Sequence, residues 1–173
     1  AQIISILEQL NIEDELIISD DGSTDSTLSL IAKFEDSRIK LLHGPQLGVI
    51  ENFKNAVAYA SGKIVFLSDQ DDIWLPGKLE LMLGRLKQLE GESKVPCLVH
   101  HDLCVVDESL NPIADSFIEM MQLQPSDEHN PQRLISRNEV TGCAMACNRA
   151  LLEIDVGRVV FKIIGELLEG VGL

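Results

Sequence analysis

Ile64-Val65-Phe66-Leu67-Ser68-Asp69-Gln70-Asp71-Asp72 runs from four apolar residues straight into an acidic turn, and the reading of the chain turns on that junction. A short apolar run bounded by turn residues reads as a buried strand when helical patterns flank it. Upstream, Ile50, Phe53, Val57 and Ala60 recur at helical spacing and stop at Ser61-Gly62, a glycine just past a helix end. Downstream, Pro76 suits a first helical turn, and Leu79, Met82, Leu83, Leu86 and Leu89 share one face. Helix, strand, acidic turn and helix therefore follow one another.

The same grammar appears nearer the start. Leu16 to Ser19 is apolar, Asp20-Asp21-Gly22-Ser23 is turn-prone, and Leu28, Ile31 and Phe34 resume helical spacing, with Ser23 or Thr24 as the expected cap. Gln2 to Leu10 carries Ile3, Ile6, Leu7 and Leu10 on one helical face, and Arg38 to Leu42 is a second short strand. Cys97 to Val106 reads as a strand, Asp107 to Asn111 as a polar turn, Leu123 to Arg137 as a loop, and Val140 to Cys147 as a strand containing Gly142. Asn148-Arg149 opens another helical pattern. From Val156 to Val171 an amphipathic helix follows, expected to pack on the core, with an interfacial membrane helix as the alternative. Alternating strands and helices imply an α/β layer fold with a mostly parallel sheet flanked by helices.

Composition narrows the function. A chain of 173 residues that is 45% hydrophobic suffices for one packed domain. Its apolar runs fall far short of the ~20 residues that cross a bilayer. A formal charge of −14 disfavours nucleic acid, whose phosphates repel such a surface. Cys97, Cys104, Cys143 and Cys147 lack zinc-site spacing, and no signal peptide is visible, so a reduced, cytoplasmic setting is expected. His100 and His101 point to opposite faces of a strand, which argues against a shared metal site.

The chemistry belongs to the two acidic turns, because open α/β sheets bind ligands beyond the carboxyl ends of their strands. Residues 1–32 hold seven acids and no Lys or Arg, so a phosphate near the first turn lacks a cationic side chain from that segment. Asp69 and Asp71 offer the hard oxygens that Mg2+ or Mn2+ takes while leaving positions open for substrate phosphates. Each turn taken alone is also what a plain loop and helix cap would look like. Three acids within four positions, however, repel unless something cationic holds them.

Three stretches together resemble a known family: Glu15 to Asp25, Gly48 to Phe53, and Phe66 to Pro76 look like a family 2 glycosyltransferase of the GT-A fold, rhamnosyltransferase-like in type. The likeness continues through Leu98 to Leu103, Val105 to Asp107 and Gly142 to Arg149, and so covers about residues 1–152 as a partial nucleotide-sugar-binding domain, with 153–173 as the tail helix. The resemblance implies that Asp21 accepts a hydrogen bond from the pyrimidine of a dTDP- or UDP-sugar, with Asp20 as a supporting acid. It implies that Asp69 lies towards the ribose and donor sugar and that Asp71, with Asp69, ligates Mn2+ or Mg2+. Asp72 is expected to hold a metal-bound water or the acceptor, or else to cap the next helix; Trp74 to wall the sugar pocket or to pack. Asn52 and Gly142 are weaker donor-site candidates, and Asp102 is a candidate near the active-site face or a structural acid.

The family likeness also has gaps. Its first, central strand has no counterpart here, so the chain is expected to be truncated at both ends and to fold poorly alone. No residue matches the family's proton-abstracting carboxylate: Glu153, Asp155 and Glu166 lie in the right part of the chain without a supporting pattern, and the catalytic base is left unassigned. The expected activity is sugar transfer to a polysaccharide or lipid-linked acceptor, in the cytoplasm or at the inner face of a membrane. The alternatives are a non-catalytic nucleotide-binding remnant and an aspartate-nucleophile phosphatase, whose motif wants a small turn where Asp72-Ile73-Trp74 stands.

Overall fold

In the computed structural model, which describes residues 1–91, 95–123 and 142–153, the chain order is α1 (Gln2–Leu7), β1 (Leu16–Asp20), α2 (Thr27–Ile31), β2 (Ile39–His43), α3 (Val49–Tyr59), β3 (Ile64–Phe66), α4 (Lys78–Glu90), β4 (Leu98–His100), β5 (Val105–Val106), β6 (Pro112–Ala114), α5 (Phe117–Met120), a 3-10 turn (Gly142–Ala144), β7 (Met145–Asn148) and α6 (Arg149–Glu153). The α/β reading holds. Strands β1 and β2 pair in parallel, from Leu16 against Ile39 to Asp20 against His43. A second sheet has the order β3-β7-β4, with β7 antiparallel to both neighbours. Strands β5 and β6 form a small hairpin around a turn in which the Asp107 carboxylate accepts the Asn111 backbone N–H. Among the described residues no ladder joins β1 to β3.

The core is built around β7, whose four residues are all buried. Because side chains alternate along a strand, Met145 and Cys147 face one way, joining Val65 and Leu67 under Ile50, Phe53 and Val57 of α3. Ala146 faces the other way, with Val99 and Cys97, onto Met82 and Leu86 of α4. Helix α3 also reaches the first sheet, where its Asn52 and Asn55 bond to Ser19 of β1. One helix thus packs on β3-β7 with its apolar face and grips β1 with its amides. Buried Asn148 finishes the core: its Oδ1 accepts from Cys97 N at 3.0 Å and Leu151 N at 3.1 Å, the latter capping α6.

Four local expectations change. Helix α2 begins at Thr27 rather than beside Ser23 or Thr24, because Ser23 N is taken by Asp20 and Thr27 N by Asp25. Helix α4 begins at Lys78, after Gly77 at φ 84°, so Pro76 precedes the first turn and Asp72 is too far upstream to cap it. The Cys97 to Val106 strand breaks after His100, where Leu103 N turns to the Asp102 carboxylate. The Val140 to Cys147 strand is, where described, a 3-10 turn leading into a strand. The loop expected from Leu123 to Arg137 lies outside the described residues beyond 123, as does the tail helix.

Candidate functional site

Asp20 closes β1, and its Oδ2 accepts the backbone N–H groups of Gly22 at 3.2 Å and Ser23 at 3.1 Å. This is the turn an aspartate makes when it replaces a backbone acceptor. The Ser23 side-chain hydrogen bond, opposed by burial, holds the Asp20 carboxyl below its ordinary value. Asp20 is thereby committed to shaping the turn. Asp21 faces the loop after β2: its Oδ1 accepts Gln46 N at 2.6 Å and its Oδ2 accepts Gly48 N at 3.1 Å.

Gly44 makes that approach feasible. A Cβ at this position would stand 2.4 Å from Asn52 Oδ1, 2.6 Å from Asp21 Oδ1 and 2.9 Å from Asp21 Cα. Asn52 itself is half-buried and bonded to both the hydroxyl and the carbonyl of Ser19. It therefore ties α3 to the strand that carries Asp20 and Asp21.

The second acidic turn is braced by α1. Gln2 and Ser5 of α1, and Gln9 in the turn just past its end, line up along one side. Gln2 Nε2 donates to Ser68 Oγ at 3.2 Å and to the Asp69 carbonyl; Ser5 Oγ accepts Trp74 N at 3.0 Å; Gln9 donates to the Leu75 carbonyl at 3.1 Å and accepts from Leu79 N at 3.1 Å. Within this frame the ligand atoms of Asp69, Asp72 and Cys143 lie within 4.8 Å of one another. Asp71, the expected partner of Asp69, is exposed and stands outside that group.

Burial first, then Asp72 and Asp71, raises the Asp69 carboxyl to about 6. Burial and the Asp72 carboxylate likewise push the Cys143 thiol up, so it stays protonated beside the acids. Among the described residues Asp72 Oδ2 is buried with no hydrogen-bond partner, and so is His101 Nε2. An orphaned carboxylate oxygen beside a second carboxylate matches a cation that prefers hard oxygen ligands.

Trp74, 5% exposed, floors this corner. Its ring lies 5.6 Å from that of Phe66, its Nε1 donates to Ser68 Oγ at 3.2 Å, and Lys78 Nζ sits 4.5 Å above its centroid. The Lys78 ammonium also donates to the Cys143 carbonyl at 3.1 Å. Burial pushes it below its ordinary value, with Asp72 and Asp69 opposing.

The remaining candidates separate. Gly142 opens the 3-10 turn that brings Cys143 to the acids. Asp102 Oδ1 accepts from Leu103 N at 2.8 Å and Ile118 N at 3.0 Å, which fixes the start of α5. Glu153 ends α6 in solvent; Asp155 and Glu166 lie outside the described residues. The sequence does not single out Gly44, Lys78 or the polar run Gln2, Ser5 and Gln9, and it presents Cys143 only as a cysteine without zinc-site spacing. The polar run leaves a trace there, as polar residues interleaved with the apolar face of α1.

Comparison with known proteins adds a family match. The model of the family described as Glycosyl transferase family 2 matches residues 3–154. The chain is 39% identical over 87 residues to the UDP-Glc:alpha-D-GlcNAc-diphosphoundecaprenol beta-1,3-glucosyltransferase WfgD of Escherichia coli, covering 50% of this chain and 34% of that protein. It is 35% identical over 80 residues to the E. coli glucosyltransferase WfaP, covering 46% and 32% respectively. To the chondroitin synthase of Pasteurella multocida it is 35% identical over 81 residues, 46% of this chain and 8% of that protein. The chain spans 34% of the first of these relatives and less of the other two.

Proposed function

The chain belongs to glycosyl transferase family 2, and on that premise we propose that it forms the donor-binding part of an enzyme moving a sugar from a nucleoside-diphosphate sugar to a glycan or lipid-linked acceptor. The observation that carries this reading is the convergence of Asp69 and Asp72, one of them with an orphaned oxygen, just beyond β3. Two carboxylates there fit Mg2+ or Mn2+. Asp69 and Asp72 would hold the ion, with Asp71 as the alternative second ligand that sequence spacing favours. When bound, the ion supplies Lewis-acid stabilisation of the negative charge on the leaving nucleoside diphosphate.

The chain's own residues do the rest. Asp21 accepts from the pyrimidine, in a turn that Asp20 shapes and Gly44 leaves room for. Trp74 and Phe66 form an apolar floor that limits water at the cation corner. WfgD and WfaP are named for UDP-glucose donors and diphosphoundecaprenol acceptors, which favours uridine over thymidine and an acceptor carried at a membrane surface. No helix among the described residues is long and apolar enough to cross a membrane. The family match leaves the phosphatase alternative without support.

Calorimetric titration of the chain with UDP and with dTDP, with Mn2+ present or chelated, tests the proposal. Metal-dependent binding that Asp69→Asn abolishes supports it. Comparing Asp71→Ala with Asp72→Ala identifies the second ligand. A folded chain that binds neither nucleotide overturns the reading.

A further inference from the structure

We propose that Lys78 is the protein's own cationic contact for the donor's diphosphate, acting beside the ion at Asp69 and Asp72; this rests on the donor reading above. Charge balance demands such a group. Asp69, Asp71 and Asp72 crowd the turn, a diphosphate adds further negative charge, and one divalent ion does not offset both. Residues 1–32 supply no Lys or Arg to help.

The placement of Lys78 is unfavourable for the helix that carries it. It is the first residue of α4, a 13-residue helix, and a cation at a helix N-terminus opposes the macrodipole, whereas an anion there is stabilised. Side chains tilt towards the N-terminus of their helix, which sends the Lys78 stem back over Trp74. The ring holds the ammonium 4.5 Å from its centroid, and the Cys143 carbonyl takes one N–H at 3.1 Å. A lysine ammonium has three donors, so two point elsewhere.

Neutralising the acids does not account for the position, because Lys78 forms no ion pair among the described residues, although both Asp69 and Asp72 act on it. The ammonium stands off from the carboxylates, at a corner where Asp72 Oδ2 and His101 Nε2 are buried and without a hydrogen-bond partner among the described residues. A diphosphate held through an ion at Asp69 and Asp72 would lie beside the ammonium, and the positive end of α4 would add to the attraction.

The test titrates the 173-residue chain and its Lys78→Gln and Lys78→Arg variants with UDP and UMP in saturating Mn2+. Thermal unfolding run alongside shows each sample folded. Gln retains an N–H for the Cys143 carbonyl without the charge, and Arg retains the charge. Lys78→Gln is expected to lose about tenfold or more in UDP affinity, the weight of one charge-assisted hydrogen bond, with little change for UMP. Lys78→Arg should recover most of that loss, and the salt dependence of UDP binding should be shallower in Lys78→Gln. Unchanged UDP affinity, or equal losses for UDP and UMP, overturns the role of Lys78 while the donor reading stands. Failure of the folded parent chain to bind UDP overturns both.

Discussion

Ser19 and Asn52 hold each other reciprocally: the Ser19 hydroxyl donates to Asn52 Oδ1 at 2.6 Å, and Asn52 Nδ2 donates to the Ser19 carbonyl at 2.8 Å. The pair locks α3 to β1 one residue before the first acidic turn. Truncating one member strands half-buried polar groups on the other, so Asn52→Ala is expected to cost about 1–3 kcal/mol. Urea denaturation of Asn52→Ala, Ser19→Ala and the double variant measures this. A double variant that loses the full sum of the single losses would show that the two residues act independently.

Gly44→Ala should be the most damaging single methyl beside the first acidic turn. Its Cβ meets the Asp21 backbone at 2.9 Å as well as two polar side-chain atoms, and backbone cannot swing aside as a side chain can. The expected loss is about 1–3 kcal/mol, as for overpacking elsewhere, with nucleotide affinity falling in step because Asp21 is displaced. Thermal melts and UDP titration of the variant check both effects. Unchanged melting and binding would mean that the loop relaxes freely.

Two carboxylates give stability opposite pH slopes. Burial opposes it, yet hydrogen bonds from Lys40 and Ser61 hold Glu15 down to about 2. Its contribution is complete above the ordinary value of 4.5 and is lost as pH falls through about 2. Asp69 is raised from 3.8 to about 6, so its contribution is present below 3.8 and is lost as pH rises through about 6. Without added metal, Asp69→Asn should therefore gain stability over the parent between pH 4 and 6 and keep the gain above, with ~pH 6 set by that shift. Glu15→Gln should lose stability at neutral pH, with the difference shrinking towards pH 2. Denaturant midpoints across pH would expose the wrong sign in either case.

Thiol chemistry reads the core directly. Cys104 is exposed, whereas Cys97, Cys143 and Cys147 are buried, and burial pushes all three of those thiols up. A thiol-reactive probe is expected to modify one thiol quickly in the folded chain and the other three only on unfolding. Cys104→Ser should remove the fast phase. A second fast thiol in that variant would contradict the packing around β7.

Much of this architecture is legible in the sequence, and the reasons are physical. Helix α3 and strand β3 stand out because periodicity reports which faces are buried. The direction of β7 is invisible to periodicity: Met145–Asn148 reads as buried whichever way it runs, and its neighbours β3 and β4 precede it by tens of residues. The acidic turns are legible as residue types, yet grouping Asp72 with Asp69 in place of Asp71 depends on the path of the backbone between Leu67 and Trp74. Gly44 and Lys78 are single residues without a pattern. Their importance comes from what the fold brings near them, Asp21 in one case and Trp74 with Cys143 in the other.

Among the described residues no ladder joins β1 to β3, so the link between the two sheets is made by other contacts. The plate bearing Asp21 and the plate bearing Asp69 are coupled by α3, by the bonds from Glu15 to Ser61 and Gly62, and by the brace of α1, not by a continuous run of strand-to-strand bonds. On the donor reading proposed above, a donor touching both plates would be a cross-tie between them. Its binding free energy would then resist their separation.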